Sequence, residues 1–210
     1  MKIALLGPPG AGKGTQAEAI TKRLNVPSVS TGDILRDAVN RKTPVGVRAK
    51  ALIDAGELVP DEIIIGIVID RISKKDCEGG YILDGVPRTL VQAEALDEQG
   101  IKPDIVVSLE IPDDEIVKRL SGRRICSSCK ATYHIISNAP SKDNICDDCG
   151  AELTIRNDDK PETILHRLGE YHRETAPLKE YYETLGVLRS LDGTMSIADT
   201  TVALFEALGS

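Results

Sequence analysis

Short apolar runs alternate along the chain with stretches whose apolar residues recur at helical spacing. The runs Lys2–Leu6, Ser28–Ser30, Tyr81–Asp84, Asp104–Leu109 and Val187–Leu191 predict buried strands. Between them, Thr15 to Leu24 carries Ala17, Ala19, Ile20 and Leu24 on one face and predicts a helix. Asp61 to Lys75 has acids at its start and lysines at its end, the arrangement a helix dipole favours. Leu90 to Gln99 is closed by Gly100. Pro112-Asp113-Asp114-Glu115 opens another helix, and Pro161-Glu162-Thr163 opens a long one that Pro177 breaks or kinks. Ser196 to Leu208 supplies the last. Strands that alternate with helices predict a parallel α/β sheet.

Two stretches leave this alternation. Thr31 to Val59 reads as helices without an intervening strand, which predicts a flap standing off the sheet. Residues 123–159 lack helical periodicity, hold four of the five cysteines and are rich in Asp, Asn, Ser and Lys. They read as a small inserted module.

Composition narrows the class. With 210 residues, 41% hydrophobic and 28% charged, the chain suffices for one full core and a small insert. The longest strongly apolar run, Ile63 to Ile69, is too short to span a bilayer. The N-terminal apolar stretch runs straight into a glycine-rich loop and does not read as a signal peptide. A cytoplasmic location with no membrane partner is the expectation. The net charge is −7, from 26 basic and 33 acidic residues, opposite to the balance a nucleic-acid binder needs. There is no Trp and one Phe (Phe205), so stacking platforms are scarce and nucleic acid is not an expected partner.

Gly7-Pro8-Pro9-Gly10-Ala11-Gly12-Lys13-Gly14-Thr15 lies between the first strand and the first helix. Backbone N–H groups converge on a phosphate where no Cβ obstructs them, and a helix N-terminus adds favourable potential. Lys13 then sets a point charge on the β- and γ-phosphates. Gly14 stands where the usual loop has Ser or Thr as a magnesium ligand, so phosphates and waters are expected to hold the metal. Asp84, at the end of its strand, lies at the sheet edge where such folds bind ligands, and is expected to hold a magnesium-bound water. Gly85 permits close approach of backbone, and Arg88 offers a fork for a phosphate.

Cys126-x2-Cys129, sixteen intervening residues and Cys146-x2-Cys149 match a zinc ribbon. Each C-x2-C turn offers two thiolates to one tetrahedral ion. A module of this size buries too little apolar surface to order itself, so the metal would supply folding free energy. Four thiolates leave no open position, which makes the ion structural. Two disulfides or a redox pair are the alternatives; a reducing location and the absence of a thioredoxin-like context weigh against both. Cys77 stands apart and is expected to be a partly buried free thiol.

The phosphate loop, Ser30-Thr31-Gly32-Asp33-Ile34-Leu35-Arg36, Leu83-Asp84-Gly85-Val86-Pro87-Arg88 and the insert together resemble adenylate kinase in its long form, whose lid carries zinc in some members. The resemblance covers nearly the whole chain. It implies a P-loop nucleoside monophosphate kinase with a five-stranded parallel sheet flanked by helices, a helical AMP-binding flap and a small zinc-binding lid. The core would comprise 1–30, 60–122 and 160–210, the monophosphate domain 31–59 and the lid 123–159. The implied reaction is reversible: Mg·ATP and AMP give two ADP, maintaining adenine nucleotide balance. One chain serves both substrates, so a monomer is expected.

Carried over by motif, Gly10, Ala11, Gly12, Lys13, Gly14 and Thr15 would cradle the ATP phosphates. Arg119, Arg123, Thr132, Tyr133 and the backbone at Met195 would complete the ATP site. Thr31, Arg36, Glu57, Leu58, Val59, Gly85, Arg88, Gln92, Arg156 and Arg167 would form the AMP site. Lys13, Arg88, Arg123, Arg156 and Arg167 would compensate the transferred charge, with Asp158 and Asp159 anchoring arginines. Asp84 and Asp33 would hold magnesium-bound waters. Val86 stands where the family string usually has Phe, implying looser packing beside the monophosphate. A kinase for another monophosphate, and a nucleotide switch whose ribbon binds a partner, are the competing readings.

Overall fold

The computed structural model describes residues 1–209. In chain order the elements are β1 (Lys2–Leu6), α1 (Lys13–Leu24), β2 (Ser28–Ser30), α2 (Thr31–Asn40), α3 (Pro44–Ala55) and α4 (Asp61–Ile72). Then come β3 (Tyr81–Asp84), α5 (Leu90–Glu98), β4 (Ile105–Glu110), α6 (Asp113–Gly122), β5 (Arg123–Cys126) and β6 (Thr132–His134). The chain closes with β7 (Leu153–Thr154), α7 (Pro161–Glu170), α8 (Leu178–Thr184), β8 (Leu188–Asp192) and α9 (Ile197–Ala207).

Five strands form one parallel sheet in the order β2-β3-β1-β4-β8. Successive side chains of β1 enter opposite cores, as the two-residue period of a strand requires. Ile3 and Leu5 pack with Ala17, Ile20, Leu204 and Phe205 beneath α1 and α9. Ala4 and Leu6 pack with Val29, Leu83, Val106 and Leu178 on the other face. Both faces are covered over β1, β3 and β4, which is why these strands read as apolar runs rather than alternating ones. The last strand, expected to be buried, is not: β8 lies at the sheet edge, with Leu188 and Leu191 half-buried and Arg189, Ser190 and Asp192 exposed. Val86 is fully buried in the second of these cores.

β4 and β8 each lie one residue further along than the apolar runs suggest. Their ladder continues to the polar pair Glu110 and Asp192, and Asp104 instead closes the strand start by accepting from the Lys2 N–H at 2.6 Å. The helix expected to reach Lys75 ends at Ile72. Ser73 Oγ donates back to the Asp70 carbonyl at 2.8 Å, and Arg71 folds onto Asp76, closing a 3-10 turn at Lys75–Cys77. Ahead of Pro177 the chain widens into a π-helical turn, Tyr171–Thr175, which accommodates the proline's missing N–H before α8 begins.

The flap, α2 and α3, is held by close backbone approach. A Cβ on Gly46 would lie 2.1 Å from the Ala38 carbonyl oxygen, so only glycine admits this crossing. Residues 123–154 carry a separate antiparallel sheet, order β6-β5-β7.

Candidate functional site

The phosphate loop leaves the C-terminal end of β1, the central strand. Gly7, Gly10 and Gly12 have φ of 134°, 82° and 96°, and a Cβ on Gly7 would strike the Leu109 carbonyl oxygen at 2.7 Å. The loop shape therefore demands glycine. Lys13 begins α1 and turns its ammonium back to the carbonyls of Gly7 and Pro8, at 2.7 and 2.8 Å. Burial lowers its pKa to about 8, against the pull of Asp84, and the cations Arg88, Arg167 and Arg123 lower it further. Register explains the nearby carboxylate: Asp84 pairs beside Leu5 of β1. Burial raises the Asp84 pKa, and Lys13 and Arg88 act against that rise.

Beside the loop, a cleft lies between the flap and the sheet edge. It is lined by Thr31, Arg36, Glu57, Leu58, Val59, Gly85, Arg88, Gln92 and Arg167, together with Gly32, Leu35, Ile53, Gly56, Ile64 and Asp158. Of the residues expected at an AMP site, the cleft gathers nine and leaves Arg156 out of its wall. Thr31 Oγ1 donates to the Gly85 carbonyl at 3.0 Å, and Arg88 Nε donates to the same oxygen at 2.8 Å. Arg36 pairs with Asp33 at 2.7 Å. Burial works against the Asp33 charge, but Arg36, Ser30 and Arg156 outweigh it and hold the carboxyl below its usual range.

The arginines of the second sheet's margins meet two buried carboxylates. Arg123 forks onto Asp159 at 2.8 and 2.5 Å. Arg167 reaches Asp158 at 3.0 Å and Asp159 at 3.3 Å. Arg156 makes no ion pair among the described residues. Burial, then repulsion from Arg123 and Arg36, lowers its pKa to about 10; burial and then Arg167 do the same for Arg88. Six cations (Lys13, Arg36, Arg88, Arg123, Arg156, Arg167) thus share this region with four carboxylates (Asp33, Asp84, Asp158, Asp159). The excess positive charge, held in place and poorly solvated, suits a polyanion.

Arg119 does not pair with Glu115; Lys118 does, at 2.6 Å. Instead Arg119 donates to the Gly193 carbonyl at 2.8 Å, which brings it to the loop that carries Met195. Thr132 is exposed on β6. The Tyr133 side chain is not brought to the cleft. It is buried against Cys126, Cys146 and Leu153, and its hydroxyl, 3.5 Å from Cys146 Sγ, accepts from the Asp147 N–H at 2.8 Å. Only its backbone remains for a nucleotide.

The four sulfurs of Cys126, Cys129, Cys146 and Cys149 lie within 4.8 Å of one another, and all four are free thiols. Tetrahedral zinc–thiolate bonds of about 2.3 Å separate sulfurs by roughly 3.8 Å, and the contacts of 3.4 and 3.5 Å across the cluster lie close to that. The two turns are copies of one another. The N–H groups of Cys126 and Cys146 donate to the carbonyls of Ala131 and Ala151, and Lys130 and Gly150 both take left-handed φ, 69° and 72°. This donor set fits zinc. Cys77 is buried and free, and its thiol pKa is raised by that burial.

Sequence reasoning missed the group behind Gln92. Gln92 Oε1 accepts from the Arg88 N–H at 2.7 Å, and its Nε2 donates to Asp61 Oδ1 at 2.8 Å. Thr89 Oγ1 donates to the same carboxylate at 3.2 Å and caps α5 by accepting from the Gln92 N–H. Thr89-x-x-Gln92 is a capping-box signature that was there to be read; the link to Asp61, thirty-one residues away, was not.

A phosphate loop and an arginine-lined cleft at one sheet edge define a P-loop transferase that brings two phosphorylated substrates together. The family model for adenylate kinase matches residues 5–187. Curated relatives named adenylate kinase include one from Caldicellulosiruptor bescii, 53% identical over 100% of this chain and 99% of the relative. Others are from Carboxydothermus hydrogenoformans, 50% identical over 99% of both chains, and Acetivibrio thermocellus, 51% identical over 99% of this chain and 98% of the relative. The chain belongs to the adenylate kinase family, nucleoside monophosphate kinases that transfer a phosphoryl group between adenine nucleotides.

Proposed function

We propose that this chain transfers the γ-phosphoryl group of Mg·ATP to AMP, giving two ADP reversibly. The observation that carries the reading is the convergence of Arg36, Arg88, Arg167 and Gln92 on one cleft beside the phosphate loop. A triphosphate seated on Gly10, Ala11, Gly12, Lys13, Gly14 and Thr15 would direct its terminal phosphoryl group towards that cleft. Arg36 and Arg88 would hold the acceptor phosphate, and Arg123, Arg156 and Arg167, with Lys13, would compensate the charge spread over the transferring group. An acceptor phosphate has its second pKa near 6 and is already ionised, so no general base is needed. None of His134, His166 and His172 lines the cleft, in keeping with that chemistry.

Thr31 and Gln92 would meet the AMP base or ribose, with Glu57, Leu58 and Val59 offering backbone. Arg119, Thr132, and the backbone at Tyr133 and Met195 would border the ATP base and ribose. Asp84 and Asp33 would hold waters of the magnesium that accompanies ATP, an ion that supplies further neutralisation of phosphate charge. Cys126, Cys129, Cys146 and Cys149 would hold a structural zinc. We assign 1–30, 60–122 and 160–210 to the core, 31–59 to the monophosphate domain and 123–159 to the lid. We further propose a cytoplasmic monomer with no nucleic-acid or membrane partner. No helix among the described residues is long and apolar enough to cross a membrane.

The test is ADP formation from Mg·ATP with AMP, UMP, CMP or GMP offered separately. Fast turnover with AMP alone is expected. Preference for another base would remove the Thr31 and Gln92 roles while keeping the fold and chemistry. No transfer to any of them would overturn the reading.

A further inference from the structure

An amide that reads a purine edge is specific only if it cannot turn over. A glutamine amide offers two N–H donors and two oxygen lone pairs, and a half-turn about its last bond exchanges the two ends. A 6-amino purine presents a donor at position 6 and an acceptor at N1. A 6-oxo purine presents the reverse pair. A freely turning Gln92 would satisfy either.

Gln92 is not free to turn. Its side chain is 1% exposed and held at both ends. At one end stands the Arg88 N–H, which only donates, so the atom facing it at 2.7 Å must be oxygen. At the other stands the Asp61 carboxylate, which when ionised only accepts, so the atom facing it at 2.8 Å must be the NH2. One N–H and one lone pair remain for a ligand, in a fixed order. Asp61 itself is absent from the wall of the arginine-lined cleft and lines, with Thr89, the neighbouring hollow. It therefore reaches Gln92 from behind. Thr89, 8% exposed, donates to the same carboxylate oxygen and fixes it in turn.

We propose that Asp61, steadied by Thr89, is the positioning residue that locks the Gln92 amide and thereby sets the choice of 6-amino over 6-oxo purine monophosphates. The inference rests on the reading of the cleft as the AMP site. Asp61 touches no substrate; it acts through Gln92.

The experiment compares kcat/KM for AMP and for inosine monophosphate in the wild-type protein, Asp61→Ala, Asp61→Asn and Gln92→Leu. In Asp61→Ala the preference for AMP should fall by about tenfold, the scale of one buried hydrogen-bond partner lost. The fall should appear in the KM for AMP, with kcat and the KM for ATP unchanged. Arg88 still holds the oxygen end, so discrimination weakens without vanishing. Asp61→Asn, whose Oδ1 still accepts from Nε2, should recover most of the preference. Asp61→Ser, too short to reach Gln92 yet favourable at a helix start, gives the same readout if the alanine variant does not fold. A folded Asp61→Ala protein with wild-type preference, while Gln92→Leu loses it, overturns the role of Asp61 alone. Wild-type preference in Gln92→Leu as well overturns the reading of Gln92 on which it stands.

Discussion

Lys13 is kept charged in a place that solvates the charge poorly, and this gives the site a pH signature. Its pKa falls from 10.5 to about 8 in the folded protein. Between those values the unfolded chain binds the proton and the folded one does not, so this lysine's contribution to stability rises with pH across that window. Ligand binding runs the other way. A triphosphate beside Lys13 favours the ammonium, so above about pH 8 ATP binding should take up a proton and weaken as pH rises. Calorimetry at pH values either side of 8, in buffers of different ionisation enthalpy, measures that uptake; none above pH 8, or the same uptake in Lys13→Met, would contradict it. Arg88 makes a second test. Its Nε is tied to Gly85, which leaves its remaining N–H groups for the cleft it lines. Arg88→Ala should lower kcat/KM for AMP at least about tenfold, since charge-assisted hydrogen bonds are worth more than neutral ones. Near-wild-type kinetics would remove Arg88 from the site. Residue type and motif spacing made Lys13, Arg88 and the four cysteines legible in the sequence. The direction of a side chain was not: Tyr133 turns into the cysteine cluster because its ring completes that module's small core.

At the scale of elements, β1 and β3 were legible to the residue because their apolar runs stop at Gly7 and Gly85. The ends of α4 and β8 were not, because distant or polar partners set them: Arg71 with Asp76, and Glu110 with Asp192. The cysteine module shows both sides. Spacing revealed the two turns, but not that they share one hydrogen-bond pattern. Its core holds Cys126, Tyr133, Cys146 and Leu153, too few residues to order the segment unaided. Zinc should therefore carry much of its stability. Removing the metal should lower Tm by on the order of 10 °C, while turnover at low temperature persists. A metal-free protein with unchanged melting would contradict this account of the insert.

At the scale of the whole molecule, the alternation of strands and helices indicated a parallel sheet, yet the strand order was not legible. That order does the assembling. By setting β3 beside β1 it puts Asp84 and Arg88 next to the phosphate loop, although they lie some seventy residues further along the chain. Arg123 from one end of the insert and Arg167 from α7 meet on Asp158 and Asp159 at the insert's other end, which ties those margins to the core. A molecule built this way should hand a phosphoryl group from one nucleotide to another and exclude water as the acceptor. Tracing the label from γ-labelled ATP in the presence of AMP tests that claim most directly. The label should appear in the β-phosphate of newly formed ADP, with free phosphate at background. Label released as inorganic phosphate, with none in ADP, would contradict it.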